Sequence, residues 1–161
     1  MVSRRTFTAD ERRTWVPFAA LLELLPRQLD AQLLRDADLT HFDYFTLSIL
    51  SASEHHTLRM SELASLTNAT LPRLSRVVTK LEERGLVRRE PCPHDRRATN
   101  AVITQDGRRT VLAATPGHVT NVREHVLDAL DADQHAQLRA ITAAVLARLD
   151  PAGTMMATHR D

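Results

Sequence analysis

Arg73, Arg76 and Lys80, interleaved with Ser75 and Thr79, crowd guanidinium, ammonium and hydroxyl groups into one short stretch of chain. Such groups donate hydrogen bonds to phosphate oxygens and other crowded acceptors, and the planar fork of Arg meets two acceptors at once. A second basic cluster, Arg96-Arg97, follows Asp95 about two dozen residues later. The charge is concentrated here: the stretch 73–109 holds ten Lys and Arg against five Asp and Glu, a local net of +5, within a chain whose total is only +1. The remainder is therefore acidic, at −4. A basic stripe in an acidic chain suits a polyanion, because Lys and Arg opposite phosphates release condensed counterions. The same charges also suit a solvated helix face.

Other chemistries lack their residues. No Ser, His and Asp set stands in a nucleophile context and no H-E-x-x-H string occurs. The paired carboxylates Glu82-Glu83 lie beside Arg84 on what reads as a helix surface, so catalysis is not expected. With four glycines and neither a G-x-G-x-x-G nor a G-x-x-x-x-G-K-[ST] string, the chain offers no backbone cradle for phosphate. Eight histidines raise the question of a metal. His55 and His56 are adjacent, and His118 and His125 are a heptad apart, so neither pair has the three- or four-residue spacing that aims two imidazoles from one helix at one ion. No metal and no cofactor are expected. The single cysteine, Cys92, excludes an internal disulfide framework and multi-cysteine zinc sites. Between Pro91 and Pro93 it reads as an inert, exposed thiol in a turn, and with basic residues around it a thiol-based redox sensor through Cys92 stays open as an alternative.

The 161 residues, 43% apolar, suit one compact domain. Apolar runs fall well short of the roughly 20 residues that span a bilayer, and no apolar stretch follows Arg4 and Arg5. Neither a membrane span nor a secretory leader is expected, and the expected location is the cytoplasm.

The elements that must position the basic residues are mostly helical. Trp15, Phe18, Leu22, Leu25, Leu29 and Leu33 recur at three- and four-residue steps, predicting a helix from Trp15 to Leu34, interrupted or bent near Pro26. Thr40 with Asp43 reads as a capping pair opening a second helix that fades near Ser53 to His56. Ser61 is the expected N-cap of a short third helix, Glu62 to Leu66, and Thr67 to Thr70 a turn. Pro72 then suits the first turn of a fourth helix whose apolar stripe is Leu74, Val77, Val78 and Leu81, closed by Gly85. Leu86 to Arg89 and Ala101 to Thr104 read as two strands of a hairpin turning through Pro91 to Asp95. A last helical region opens at Asp106-Gly107 and should bend or break at Pro116-Gly117. Asp131 with Gln134 caps a final helix through Leu149, and the last ten residues are expected to fray.

A short helix, a tight turn, a second helix with an exposed polar face and a basic hairpin follow one another in the order of a winged helix-turn-helix. The segments Met60-Ser61-Glu62-Leu63-Ala64, Leu74 through Arg89, and Asp95-Arg96-Arg97-Ala98 with Ile103-Thr104 and Gly107 resemble the multiple-antibiotic-resistance regulator (MarR) family of bacterial transcription factors. The likeness extends over roughly Trp15 to Leu149, and Ala101 departs from the larger apolar residue usual at its strand position. The resemblance implies a mainly α fold with N- and C-terminal dimerisation helices. Residues 35–106 would form the DNA-binding lobe, and residues 1–34 with 107–161 an intertwined dimerisation region. It implies a ligand-responsive regulator, a repressor, that binds a near-palindromic duplex as a homodimer. Thr70, Pro72, Arg73, Ser75, Arg76, Thr79 and Lys80 of the recognition helix, with Arg96 and Arg97 of the wing, become the DNA contacts, and Asp95 pairs with one of those arginines to orient the wing. Trp15, Arg27, His41, Asp43 and Tyr44 are the candidates for a cleft holding a small aromatic or phenolic ligand, against the alternative that they pack a dimer interface. A winged-helix module that binds protein instead of DNA is the competing reading.

Overall fold

The computed structural model describes residues 6–93 and 95–158, without the side chain of Arg96. The expectations placed on Arg4, Arg5, His94 and the Arg96 side chain fall outside the described residues.

Helix α1 spans Ala9–Ala37, and its start is set by a capping box between Thr8 and Glu11. It is therefore longer than the sequence pattern suggested and runs through both Pro17 and Pro26. A proline inside a helix removes the hydrogen bond to the carbonyl four residues back. Those carbonyls belong here to Arg13 and Leu22, both exposed, so water can take the missing partner's place. Asp38, at φ +53°, turns the chain out of the helix. Helix α2, His41–Ala52, opens on the expected Thr40–Asp43 capping box, and left-handed His55 and His56 end the segment that follows it.

Strand β1, Thr57–Arg59, was not anticipated. It pairs antiparallel with β3, Asp95–Ile103, which pairs on its other edge with β2, Val87–Cys92, giving the order β1–β3–β2. The sheet thus has three strands, not two, and three residues bounded by a helical turn and a helix are too few to show an alternation in sequence. Helix α3 is Met60–Leu66, and Arg59 occupies its N-cap without a side-chain bond. Ser61 lies inside the helix, so the expected cap is displaced by two residues. Helix α4 is Leu71–Glu83, with Thr70 as N-cap and Gly85 at φ +71° just beyond its end.

Helix α5, Gln105–Val122, passes through Pro116 without a break. The bond lost there is that of Leu112, 71% exposed, so the cost again falls on the wet side. The irregularity comes later, as a π-type turn at Arg123–Leu127, before α6, Ala132–Leu149, opens on the Asp131–Gln134 capping box. Gly107 is required where α5 leaves the sheet, because a Cβ there would stand 2.2 Å from the Leu86 carbonyl oxygen.

The apolar core lies among α2, α3, α4, the sheet and the first turns of α5. Leu47, Leu50, Leu63, Leu74, Val78, Leu81 and Val87 are buried in it. Each fully buried Leu contributes about 1.5–3 kcal/mol over exposure, so this lobe holds most of the stabilising burial. By contrast α6 buries no residue fully, and α1 leaves Trp15, Phe18, Leu21 and Leu22 in water. No helix among the described residues is long and apolar enough to cross a membrane.

Candidate nucleic-acid interface

The tight turn between α3 and α4 is built by two local hydrogen bonds and one left-handed residue. Thr67 donates its hydroxyl to the Leu63 carbonyl at 2.7 Å, Asn68 takes a left-handed φ of +50°, and the Ala69 amide donates to Ala64 O at 2.9 Å. Thr70 then caps α4 by accepting from the Arg73 amide. Its role is thus structural at the least. With Leu74, Val78 and Leu81 turned into the core, the helix presents Pro72, Arg73, Arg76, Thr79 and Lys80 outward, with Ser75 half-buried at the edge. The apolar stripe expected from sequence fixes this orientation, Val77 being partly buried.

Several of these side chains already have partners. The Arg73 guanidinium sits 4.3 Å from the centre of the Phe42 ring, a cation–π contact to the first turn of α2. Lys80 Nζ donates to Asp43 Oδ2 at 2.7 Å, and the Asp43 side chain is 3% exposed against 47% for Lys80. Because Asp43 also closes the α2 capping box, its buried carboxylate is satisfied by Thr40 and Lys80 together. Ser75 and Thr79 are tied to the sheet by a residue that sequence reasoning missed: Arg89, on β2. Its guanidinium donates to Ser75 O at 2.8 Å, Thr79 Oγ1 at 3.0 Å and Glu82 Oε2 at 2.6 Å, while its amide donates to Glu82 Oε1 at 2.9 Å. At the far end of α4, Arg84 donates to the Ala37 and Asp38 carbonyls at the end of α1, where cations are favoured. The only sequence signal for these clamps was a charge pattern that fits many surface pairings equally well.

Arg76 stands apart, exposed and with no hydrogen-bond or ion-pair partner among the described residues. Arg97 is exposed near the tip of the wing. The expected pairing of Asp95 with an arginine side chain takes a different form: Asp95 Oδ1 accepts from the Arg97 backbone amide at 3.0 Å. It shapes the turn through the main chain and leaves the Arg97 head outward. Between wing and helix runs a furrow of about 380 Å³, with Arg59, Arg89 and Arg97 among its lining residues. Cys92 is 5% exposed, which corrects the exposed thiol expected from its flanking prolines: the strand pairing continues through Cys92 and turns the side chain inward.

The five cleft candidates do not assemble. Only His41 and Tyr44 come together, and they do so around His118, a residue the sequence spacing did not single out. The His41 and His118 rings are 5.7 Å apart, Tyr44 and His118 are 4.7 Å apart, and the Tyr44 hydroxyl meets Thr115 Oγ1 at 3.0 Å. Burial lowers the pKa of both imidazoles, and His118 is pushed further down by His41. His118 Nδ1 is buried without a hydrogen-bond partner among the described residues. Asp43 is committed to Lys80. Trp15 packs between Phe7 and Phe18, half a helix away: fifteen residues separate it from Asp30, whose carboxylate holds the His41 amide, or about 22 Å at 1.5 Å per residue. Arg27 lies exposed on the same helix. Heptad and triad spacing along one helix could not reveal His41 and His118 as neighbours, since they meet across two helices.

A mostly helical chain with a three-stranded sheet, whose β2–β3 hairpin forms a wing beside a helix–turn–helix, defines a winged helix-turn-helix protein. The MarR family model matches residues 39–99. Two solved structures from Streptomyces coelicolor are similar over nearly the whole chain. The MarR family transcriptional regulator Sco3205, solved in complex with DNA, is 40% identical with a TM-score of 0.87, covering 89% of this chain and 94% of that one. The regulator AbsC is 36% identical with a TM-score of 0.86, covering 91% and 99%. The chain belongs to the MarR family of transcriptional regulators. Among curated relatives, PapX of Escherichia coli is 29% identical over 53% of this chain and 52% of its own length, and YdcH of Bacillus subtilis 32% identical over 52% and 58%. The chain thus spans a little over half the length of the curated relatives it matches.

Proposed function

We propose that this regulator binds duplex DNA as a homodimer, at a near-palindromic operator, and represses transcription there until a small aromatic or phenolic ligand releases it. The observation that carries the reading is the unpaired guanidinium of Arg76 on the outward face of α4, with Arg97 of the wing across the furrow. An exposed helix face of this width fits the major groove, where Arg meets guanine O6 and N7, and a two-stranded wing reaches the flanking backbone. The similar regulator Sco3205 was solved in complex with DNA, which supports DNA as the partner. In this reading Thr70, Pro72, Ser75 and Thr79 line the approach, Arg73 and Lys80 reach phosphate from the positions their partners fix, and Arg96 and Arg97 form the wing contacts.

Residues 35–106 serve as the DNA-binding lobe, and residues 1–34 and 107–161 as the dimerisation region. The apolar faces of α1 and α6 favour this division, because Trp15, Leu21, Leu22, Ile141 and Val145 stand exposed in the single chain and a symmetry mate would cover them. The test is binding to selected duplexes followed by fluorescence anisotropy across salt concentrations. Affinity should fall steeply with salt, and Arg76→Ala should cost about 1–3 kcal/mol on the best site if its guanidinium reads a guanine. Arg97→Ala should weaken all duplexes alike. Salt-independent or absent binding by the intact chain would instead favour a winged helix that docks on protein.

A further inference from the structure

The segment after α6 folds back onto the DNA-binding lobe. Asp150 organises it: Oδ1 accepts from the Thr154 amide at 3.1 Å and hydroxyl at 3.0 Å, and Oδ2 accepts from the Met155 amide at 2.9 Å and from the Thr158 hydroxyl. These donors hold the Asp150 carboxyl well below the usual carboxylate range. The expectation that the tail frays is thus corrected up to Thr158. The Met156 amide then donates to Leu66 O at 2.9 Å. Leu66 O is one of the carbonyls that α3 leaves without an intrahelical partner, so the tail completes the end of the first helix of the helix–turn–helix.

Between this strap and the lobe lies a cavity of about 420 Å³, bounded by Ile49, Leu58 and Leu66 on the lobe and by Met156 on the strap. Its size falls in the range of sites that hold small organic ligands. Glu62, on α3, is the one ionisable side chain in its walls, and it has no hydrogen-bond or ion-pair partner among the described residues. A largely apolar pocket, with Ser53, Ser65 and Thr154 also in its walls and a single unpaired carboxylate on exposed Glu62, favours a compact aromatic body carrying one cationic amine over an acid of the same shape.

We propose that this strap-covered chamber is a binding site for a small aromatic amine, with Glu62 holding the ammonium group. The proposal deepens the ligand response proposed above and rests on it for its regulatory meaning. The strap links the end of α6 to the end of α3, and α3 leads through the turn into α4. An occupant that favours one strap position over the other therefore alters how the recognition helix is held relative to the dimerisation helices.

The site is tested on the free protein with 2-phenylethylamine, followed by backbone amide NMR, with 3-phenylpropionate as the anionic counterpart. Saturable shifts should centre on Ser65, Leu66 and Met156, and the acid should produce none of them. Glu62→Gln should weaken the amine by about tenfold, the worth of one charge-assisted hydrogen bond. Ala52→Trp, at an exposed position on the cavity wall, should abolish binding by filling the space while leaving the circular dichroism spectrum unchanged. Equal binding of acid and amine, shifts centred on His41 and Tyr44, or full binding by folded Ala52→Trp would each overturn the assignment. Duplex binding is measured separately without the amine, so failure of the DNA reading shows there and failure of the site shows only in the NMR titration.

Discussion

At the residue scale, the division of labour among the basic side chains decides what mutation should reveal. Arg89, on β2, reaches the edge of the outward face of α4: it bridges Ser75, Thr79 and Glu82 and so fixes where that face lies. Arg89→Lys keeps the charge but cannot reach a carboxylate and two helix acceptors with one ammonium. Duplex affinity should therefore drop several-fold for the lysine variant, with the salt slope preserved, whereas Arg97→Lys should retain most of its affinity. Competition anisotropy on one duplex checks both. The His41–His118 pair makes a second expectation. Burial lowers both pKa values in the folded chain, so the unfolded chain binds more protons in the acidic range and stability rises with pH. No penalty exists well above the unfolded value of about 6.5; it grows as pH falls through that value and levels off below the folded ones. Urea midpoints measured between neutral and acidic pH should fall accordingly, and His41→Gln with His118→Gln should flatten that part of the profile.

At the scale of elements, two contacts stand out as points of failure. Gly107→Ala would press a methyl against the Leu86 carbonyl, and overpacking of this kind costs about 1–3 kcal/mol, which thermal unfolding would register. Asp43→Ala removes both a capping-box partner and the acceptor of Lys80, and the lost cap alone is worth about 1 kcal/mol. Helices α2, α4 and α6 were legible in the sequence because N-cap and apolar stripe agree in each, with Gly85 closing α4 as well. Thr40 with Asp43, Thr70 with Pro72 and Asp131 with Gln134 mark their starts to the residue. The breaks allowed for at Pro26 and Pro116 do not occur, and in both cases the carbonyl that loses its hydrogen bond belongs to an exposed residue, Leu22 or Leu112, where water can replace the missing donor. Strand β1 was invisible because its identity comes from β3, seen only when Thr57 and Val102 are brought side by side. The outward face of α4 was readable as the complement of Leu74, Val78 and Leu81. The Arg89 clamp and the His41–His118 pair were not, because each joins residues whose separation follows no local period.

At the scale of the whole molecule, the contrast between a packed lobe and bare helices is what calls for a second copy. Ile141 and Val145 lie exposed on the same α6 that buries nothing fully. Sedimentation at micromolar concentration should show a dimer, and Ile141→Glu with Val145→Glu should give a monomer that keeps its helical spectrum but loses affinity for a two-half-site duplex far more than for a single half-site.

The recognition helix is also fastened at three separate places: by Arg84 to the end of α1, by Lys80 to the start of α2, and by Arg89 to the sheet. A rod held at one point can swing and at two can still roll about the line between them, but three anchors on different neighbours leave it no independent degree of freedom. Adjustment to a duplex must then be a motion of the lobe as a unit, with the compliance located in α1 and α5. In the proposed homodimer, the spacing between two such lobes, set by those long helices, is the coordinate along which the duplex and the proposed ligand compete.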